Sequence, residues 1–372
     1  MAETPSPITL ANPRPQRVKV ARWVFQVRRQ GLRGYMGQVY DLLRLYVAPQ
    51  RLSPIEYYYY HLYDQKRYTE AERRAFIGHI GRRKIATFLN HPRSVILADD
   101  KLVSYTFLKG LGFPVPRILA LFHPNRTHGE VPALRTPDTV QAFLSEGMTY
   151  PCFGKPLTKS NAIGVASIRA YRAADDTVIL SGDRAVKAHD FAQALPNFLP
   201  GGYLFVEHLW PHPAIREVCG ERLCTVRLAV LRDEKGPNVF AAVFKITTGD
   251  NMADNFILAG NLLAAVDLES GTLTRVVGGS ATDEVEHQTH PDTGARLLGF
   301  QLPDWEAARR LVLAAAGAFP GMVYQGWDVA LTPAGPVFVE LNSAGDFSLW
   351  QRASARGIMN DRFRAALRKR RL

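Results

Sequence analysis

Cysteine is too scarce in this chain for a disulfide framework. Its 372 residues hold three, Cys152, Cys219 and Cys224, without the close spacing of a zinc site or a redox pair, so they read as reduced structural thiols. No apolar run approaches the roughly 20 residues that a membrane-spanning helix needs. Residues 1–15 are polar and proline-bearing and lack the apolar segment of a signal peptide, which predicts a cytoplasmic protein. Internal repeats and low-complexity tracts are missing. So are helix-turn-helix, zinc-finger and RNA-recognition signatures, so nucleic acid is not expected as a partner.

Acidic residues are absent from one long stretch. Between Glu3 and Asp41 there is none, while Arg14, Arg17, Lys19, Arg22, Arg28, Arg29 and Arg33 interleave with Trp23, Val24, Phe25 and Val27. Arg368, Lys369, Arg370 and Arg371 repeat the bias at the other end, and the chain carries a formal +12. Such a charge draws anions. A basic segment bearing Trp and Phe can lie on an anionic membrane surface, each cation contributing about 1 kcal/mol there. The alternative is a solvated basic arm packed on its own protein.

What is present is enough apolar material, 47% of residues, for a sizeable core in two or three structural units. Residues 40–89 carry apolar and aromatic side chains at helical spacing, with Tyr57 to Tyr60 read as aromatic packing. After Pro92 strands and helices alternate: a helix over 101–111 stopped by Gly112 and Pro114, a strand over 118–122, and a helix begun at Pro137. Alternating runs at 152–155, 165–171, 177–180, 203–208, 225–232, 239–247 and 262–267 predict largely antiparallel sheets. Helices over 304–319 and 358–368 close the set.

Residues 326–342 fold on paper into one hairpin. Thr332, Pro333, Ala334 and Gly335 are turn formers between two alternating apolar runs. Centring on Ala334 pairs Trp327 with Leu341, Val329 with Val339 and Leu331 with Val337 on an apolar face, and sets Asp328 opposite Glu340 on the other. Two carboxylates with Cβ atoms about 5 Å apart repel unless a cation or proton lies between them. Removing one acid is therefore expected to leave the metal-free protein no less stable. Asn342 points the same way, and hard oxygen ligands of this kind suit magnesium or manganese completed by waters and phosphates. The alternative is a surface hairpin with an acidic outer face, which Ala330 and Phe338 share.

Three further pieces carry chemistry. Lys155 and Pro156 end a strand before a loop of small and polar residues, Ser160 and Gly164 among them, which can bring backbone N–H groups to phosphate oxygens or can be an ordinary hairpin. The strand ending Val206-Glu207-His208-Leu209-Trp210-Pro211 breaks at proline, which leaves backbone groups for an adenine edge or simply ends a strand. Arg227 and Lys245 alternate with core residues and need an anionic partner, either a polyphosphate or a structural acid.

In chain order these pieces resemble the ATP-grasp fold: Asp100-Lys101 before a helix ending Gly112-Phe113-Pro114-Val115-Pro116, then Lys155-Pro156, Val206-Glu207, Thr225-Val226-Arg227, and Asp328 with Glu340 and Asn342. Asp254-Asn255-Phe256, Gly260-Asn261, His290-Pro291-Asp292-Thr293-Gly294, Gly299-Phe300-Gln301-Leu302-Pro303 and Gly326-Trp327-Asp328 make the chain most similar to the sugar-transfer-associated ATP-grasp proteins.

The resemblance implies an α+β chain of two lobes, residues 96–205 and 206–372, gripping ATP behind a helical N-terminal region of residues 1–95. It implies an ATP-dependent ligase that joins a carboxylate to an amine or similar nucleophile through an acyl phosphate, on a glycan, sugar precursor or cell-envelope substrate. Lys101, Lys155, Ser160 and Gly164 then hold phosphates; Glu207, His208 and Leu209 hold adenine. Arg227 and Lys245 meet the transferring phosphoryl group, and Asp328, Glu340 and Asn342 hold Mg²⁺ or Mn²⁺. Lys245 stands where the family usually has arginine, Asn261 where a second glycine is expected, and Ala214 where an acid often meets the ribose. Asn255, His290 and Asp292 either line the acceptor pocket or order a long loop. A non-catalytic ATP-binding scaffold and an ATP-grasp kinase are the alternatives, and a scaffold does not need the three metal ligands together.

Overall fold

Runs of alternating apolar residues build two seven-stranded sheets. The computed structural model describes residues 20–48, 50–158, 163–256, 260–279, 281–343 and 345–370. Arg14, Arg17, Lys19, Ser160 and Arg371 lie outside the described residues. The strands are β1 (Ile118–Phe122), β2 (Ala133–Leu134), β3 (Cys152–Pro156), β4 (Ala166–Arg172), β5 (Thr177–Leu180), β6 (Arg184–Lys187), β7 (Tyr203–Glu207), β8 (Thr225–Asp233), β9 (Gly236–Ile246), β10 (Leu262–Val266), β11 (Leu273–Gly278), β12 (Val285–Glu286), β13 (Tyr324–Thr332) and β14 (Gly335–Asn342). The first sheet runs β2-β1-β7-β3-β4-β5-β6 and the second β12-β11-β10-β9-β8-β13-β14. Every neighbouring pair is antiparallel except β1 with β2, as the alternation predicts.

Helices close both sheets and lead into them. The leading ones are α1 (Val20–Arg29), α2 (Tyr35–Val47), α3 (Pro54–Tyr59), α4 (Glu70–Arg73), α5 (His79–Leu89), α6 (Pro92–Asp99) and α7 (Lys101–Gly110). Ser53 starts α3 through a capping box with Glu56, and Pro54 suits its first turn. Tyr57, Tyr58 and Tyr60 then pack with Trp23, Val27 and Leu45 in an aromatic core. The described part of the basic stretch, residues 20–33, is therefore anchored structure. Among the described residues no helix is long and apolar enough to cross a membrane.

The first sheet packs against α8 (Pro137–Ala142) and α9 (Ala188–Ala194), through Val140, Phe191 and Ala192. After α10 (Pro213–Cys219), α11 (Trp305–Gly317) covers one face of the second sheet with Trp305, Ala308, Val312 and Ala316. Its other face meets α12 (Phe347–Ser354) and α13 (Asp361–Arg370), through Phe347, Ala353 and Phe363. Neither α12 nor β11 is in the sequence reading; Asp346 caps α12 by accepting from the Ser348 N–H.

The β13–β14 hairpin differs from the paper version near its tip. Thr332 pairs with Gly335, Leu331 with Pro336, Ala330 with Val337 and Val329 with Phe338, around a two-residue turn at Pro333 and Ala334. A bulge between Asp328 and Val329 absorbs one residue of β14, after which Asp328 pairs with Glu340 and Trp327 with Leu341, as expected. The bulge also moves Phe338 onto the apolar face, where its ring lies 4.6 Å from that of Trp327. Phe338 is thereby removed from the face that carries the acids.

Candidate functional site

Lys155 leaves the end of β3 almost fully buried, and its Nζ donates to the Tyr105 hydroxyl at 2.5 Å and to the Val339 carbonyl at 3.3 Å. Tyr105 comes from α7, which begins at Lys101 because Asp100 accepts from the Leu102 and Val103 N–H groups. Burial, with help from nearby Lys101, brings the Lys155 pKa down to about 7, against the pull of Glu340 and Asp328. Lys101 itself sets its Nζ 3.1 Å from Glu340 Oε1.

Sheet register assembles the second group. Asp328 on β13 is flanked by Arg227 on β8 and Glu340 on β14. Arg227 meets the Asp328 carboxylate with two parallel bonds, Nε to Oδ1 at 2.5 Å and Nη2 to Oδ2 at 2.7 Å. Lys245 on β9 adds its Nζ 3.2 Å from Asp328 Oδ2 and 3.2 Å from Asp254 Oδ1. Asp254 is tied in turn to Thr225, whose N–H donates to it at 2.9 Å and whose hydroxyl also donates to it. Burial alone raises the pKa of Asp328, but Arg227 and Lys245 overrule it and hold the group at about 2. For Arg227 and Lys245 burial acts downward and is outweighed by their acids, Asp328 for the first and Asp254 then Asp328 for the second, so both stay firmly charged.

The cations that the opposed acids Asp328 and Glu340 require come from the protein itself, so the repulsion expected in the metal-free protein is relieved. Each acid has its own protein cation, Asp328 the Arg227–Lys245 pair and Glu340 the ammonium of Lys101. The cations Lys101, Arg227 and Lys245 are matched by the acids Asp254, Asp328 and Glu340, and Lys155 adds a further charge whenever it is protonated, as an anion beside it would favour.

A cleft of about 830 Å³ opens between the sheets beside this patch. Phe153, Lys155, Ser167, Arg169, Val206 and Glu207 line it from the first sheet, Thr225 and Val339 from the second, Asp254 from the β9–β10 loop, and His208, Leu209 and Trp210 from the segment after β7. The β7 ladder ends at Glu207, so the backbone of 208–210 lies outside the sheet pairing. The Glu207 carboxylate accepts from the Arg117 N–H at 2.8 Å, which fixes its side chain at the strand end. The His208 ring packs 4.5 Å from Trp210, and burial followed by Arg169 lowers its pKa.

One wall of the cleft is the loop before β10, and Asn261 braces it. The Asn261 side chain accepts from Thr248 N–H at 3.0 Å and Asn251 Nδ2 at 2.9 Å, and donates to the carbonyls of Ala253 and Asn255 at 2.8 Å each. A glycine here would supply none of these bonds. His290 and Asp292 serve the same region: His290 Nε2 lies 3.2 Å from the Thr247 carbonyl, and Asp292 accepts from the Gly249 N–H at 2.7 Å. They and the Asn255 backbone order the loop rather than line the cleft. Gly164 has a packing reason to be glycine, with φ +75° and a Cβ position 2.3 Å from the Phe198 ring.

Of the residues singled out in sequence, the cleft gathers Lys155, Glu207, His208 and Leu209, and the charged patch adjoining it gathers Lys101, Arg227, Lys245, Asp328, Glu340 and Asn342. Tyr105 and Asp254 were missed as site residues. Tyr105 looks like any helical aromatic in sequence, and Asp254 reaches Thr225 and Lys245 only because the β8–β9 register sets those two side by side and the loop after β9 returns to them.

Among the described residues no three His, Cys, Asp or Glu side chains are grouped to hold a metal. The set on β13 and β14 is two carboxylates and an amide, and it suits a hard cation that takes oxygen ligands and keeps waters. Only the amide oxygen of Asn342 can ligate; its Nδ2, a donor, is buried without a partner among the described residues. Asp328 and Glu340 each retain lone pairs beyond those given to their cations. The residues present fit magnesium or manganese.

The family model for sugar-transfer associated ATP-grasp proteins matches residues 82–365. The chain belongs to that family. No curated protein matches it in sequence. Among solved structures it is similar to an L-amino acid ligase from Bacillus licheniformis, at 11% identity over 67% of this chain and 41% of that one, with a TM-score of 0.36. It is similar to a D-alanine-D-alanine ligase from Coxiella burnetii at 12% identity over 76% and 60%, with a TM-score of 0.39. A biotin carboxylase from Campylobacter jejuni, as its β,γ-ATP complex, gives 10% identity over 76% and 48%, with a TM-score of 0.41. The chain spans between 41% and 60% of these three proteins, and likenesses at such TM-scores carry no argument about chemistry.

Proposed function

We propose that this protein is an ATP-dependent ligase that activates a carboxylate and joins it to an amine or similar nucleophile. In this reading residues 96–205 and 206–372 are lobes that close on ATP. The observation that carries it is the convergence of Lys155, Arg227 and Lys245 with Asp328, Glu340 and Asn342 at the side of a cleft large enough for a nucleotide. Glu207, His208 and Leu209 frame the adenine, and Lys101 and Lys155 meet the phosphates, with Gly164 of the β3–β4 loop. The sugar-linked class of substrate rests on the family alone.

The chemistry asked of these residues is mostly electrostatic. A carboxylate oxygen of the substrate attacks the γ-phosphorus, the bond to the β-phosphate oxygen breaks, and ADP leaves with that electron pair. The amine then attacks the carbonyl carbon of the acyl phosphate, phosphate departs, and the amine loses a proton. Arg227 and Lys245 stay cationic beside the phosphoryl position and need no reorganisation to meet its charge. Magnesium or manganese, when bound by Asp328, Glu340 and Asn342, neutralises phosphate charge.

Hydroxylamine trapping tests the reading. With MgATP, hydroxylamine and a panel of amino acids and uronic acids, a ligase yields a hydroxamate with matching ADP and phosphate. A stable phosphorylated product would make the protein a kinase, and tight nucleotide binding without any turnover on its pathway substrates would make it a scaffold.

A further inference from the structure

α2 is built inside out. Met36, Val39, Tyr40, Leu43, Tyr46 and Val47 are exposed by 47% to 82%, and their spacing keeps all six within about a third of the helix circumference. The buried face carries Gln38 and Asp41 beside Leu45. Asp41 accepts two bonds from Arg33, at 3.0 Å each, one from the Tyr57 hydroxyl at 3.0 Å and one from Arg73 at 3.3 Å. Gln38 accepts from the Tyr58 hydroxyl at 2.6 Å. The polar side chains thus secure the helix to the tyrosine core and the apolar ones face outward. Phe25 of α1, 59% exposed, packs edge-on to Tyr35 at 6.0 Å and extends the surface to a second helix.

Within residues 20–48 the exposed charge has one sign, and the acid at the edge of the surface, Glu70 of α4, is paired with Arg44. Arg22, Arg28 and Arg29 are exposed on the α1 side opposite buried Trp23 and Val27, which is also the side of Phe25. Asp41 is the one acid among residues 20–48, and it is buried under three cationic or hydroxyl partners. An apolar stripe with tyrosines and flanking cations has the composition of a helix that lies in the interfacial plane of a bilayer. A second copy seated on the same face would bring these arginines against their own equivalents, which disfavours self-association.

We propose that the outer face of α1 and α2 docks on an anionic phospholipid surface. The inference does not depend on the ligase reading. It moves the contact from a basic arm to an apolar stripe that cations flank, so binding requires both parts.

Full-length protein is to be floated with vesicles of phosphatidylcholine alone and of phosphatidylcholine with phosphatidylglycerol. Binding is expected only to the anionic vesicles and falls as salt rises. Arg22→Gln with Arg28→Gln and Arg29→Gln lowers the partition coefficient about a hundredfold, at about fivefold per cation. Leu43→Glu with Val47→Glu lowers it at least about tenfold. Both variants keep the melting temperature and ATP affinity of the wild type, because these side chains are exposed and lie outside the cleft. The proposal is overturned if the full-length protein ignores anionic vesicles at low salt, or if both variants bind as the wild type does. A dimer in solution that Leu43→Glu breaks would give the face to a second copy. Binding by a chain lacking residues 1–19 but not by the full chain would give it to the protein's own N-terminus.

Discussion

Asp328 and Glu340 oppose each other on the hairpin, yet their surroundings make them unequal. Asp328 is buried under Arg227 and Lys245, whereas Glu340 is part-exposed and shares only Lys101. Asp328→Asn leaves two buried cations short of a counter-charge, so it should lower the stability of the nucleotide-free protein by about 3–5 kcal/mol. Glu340→Gln should cost less than about 1 kcal/mol. Both should reduce turnover at saturating magnesium by about a hundredfold or more, since loss of metal clamping removes several kcal/mol from the transition state. Chemical denaturation beside steady-state kinetics separates the two effects; equal stabilities for the two variants would contradict the ion pairing described.

Lys155 supplies a pH dependence whose sign is fixed. Its pKa is about 7 when folded and near the ordinary lysine value when unfolded, so the unfolded chain binds more protons between those values and stability rises with pH across the window. Phosphate beside Nζ favours the charged form, so ATP binding should take up a proton near neutral pH and weaken as pH climbs above about 7. Calorimetry in buffers of different ionisation enthalpy reads that proton directly. Lys155→Ala should abolish the uptake and weaken ATP binding at pH 7; unchanged uptake and affinity would leave Lys155 a structural residue.

At the scale of elements, the loop between β9 and β10 is held by one side chain. Asn261→Ala removes four hydrogen bonds at a buried position, where each lost partner is worth about 1 kcal/mol. The variant should lose about 2–4 kcal/mol of stability and raise the KM for ATP, because Asn251, Met252 and Ala253 wall the cleft and Asp254 carries the loop's position on to Lys245. An unchanged KM would separate the loop from nucleotide binding.

Much of this element plan was legible in sequence because the second sheet alternates cleanly. Val226, Leu228 and Val230 point into one core and Trp327, Val329 and Leu331 join them, so strand periodicity was enough to find β8 and β13. The Asp328–Glu340 pair was expected from a turn centred on Ala334, but the actual turn pairs Val329 with Phe338, and it is the bulge, which leaves no local signal, that brings Asp328 opposite Glu340. α12 was not legible, since Phe347–Ser354 is short and draws its order from packing on β9, β10 and β11. The joining of Asp254 to Lys245 was equally hidden, because it needs the β8–β9 register and a loop that returns to it.

At the scale of the whole molecule, a second ionic cluster ties the leading helices to the second sheet. Buried Glu284 meets Arg352 Nε at 2.9 Å, Arg275 Nη2 at 2.7 Å and Arg67 Nη2 at 3.2 Å, with His61 Nε2 at 3.8 Å. Burial drives the Glu284 pKa up, but Arg352, His61, Arg275 and Arg67 together hold it below the ordinary value. Burial also lowers His61 to about 4, so the arginines carry the charge at neutral pH. Glu284→Gln should cost about 3–5 kcal/mol of stability while ATP affinity stays within a factor of about two, because the cluster lies away from the cleft. A melting curve and an ATP titration on the same variant check both halves.

The central claim is that the cleft between the two sheets holds ATP with a metal on β13 and β14. Calorimetric titration of the wild type and Glu340→Gln with ATP, each with and without magnesium, tests it most directly. One nucleotide per chain, bound at least about tenfold tighter with magnesium in the wild type and with most of that gain lost in the variant, is the predicted result. No ATP binding, or wild-type binding that ignores magnesium, would contradict it.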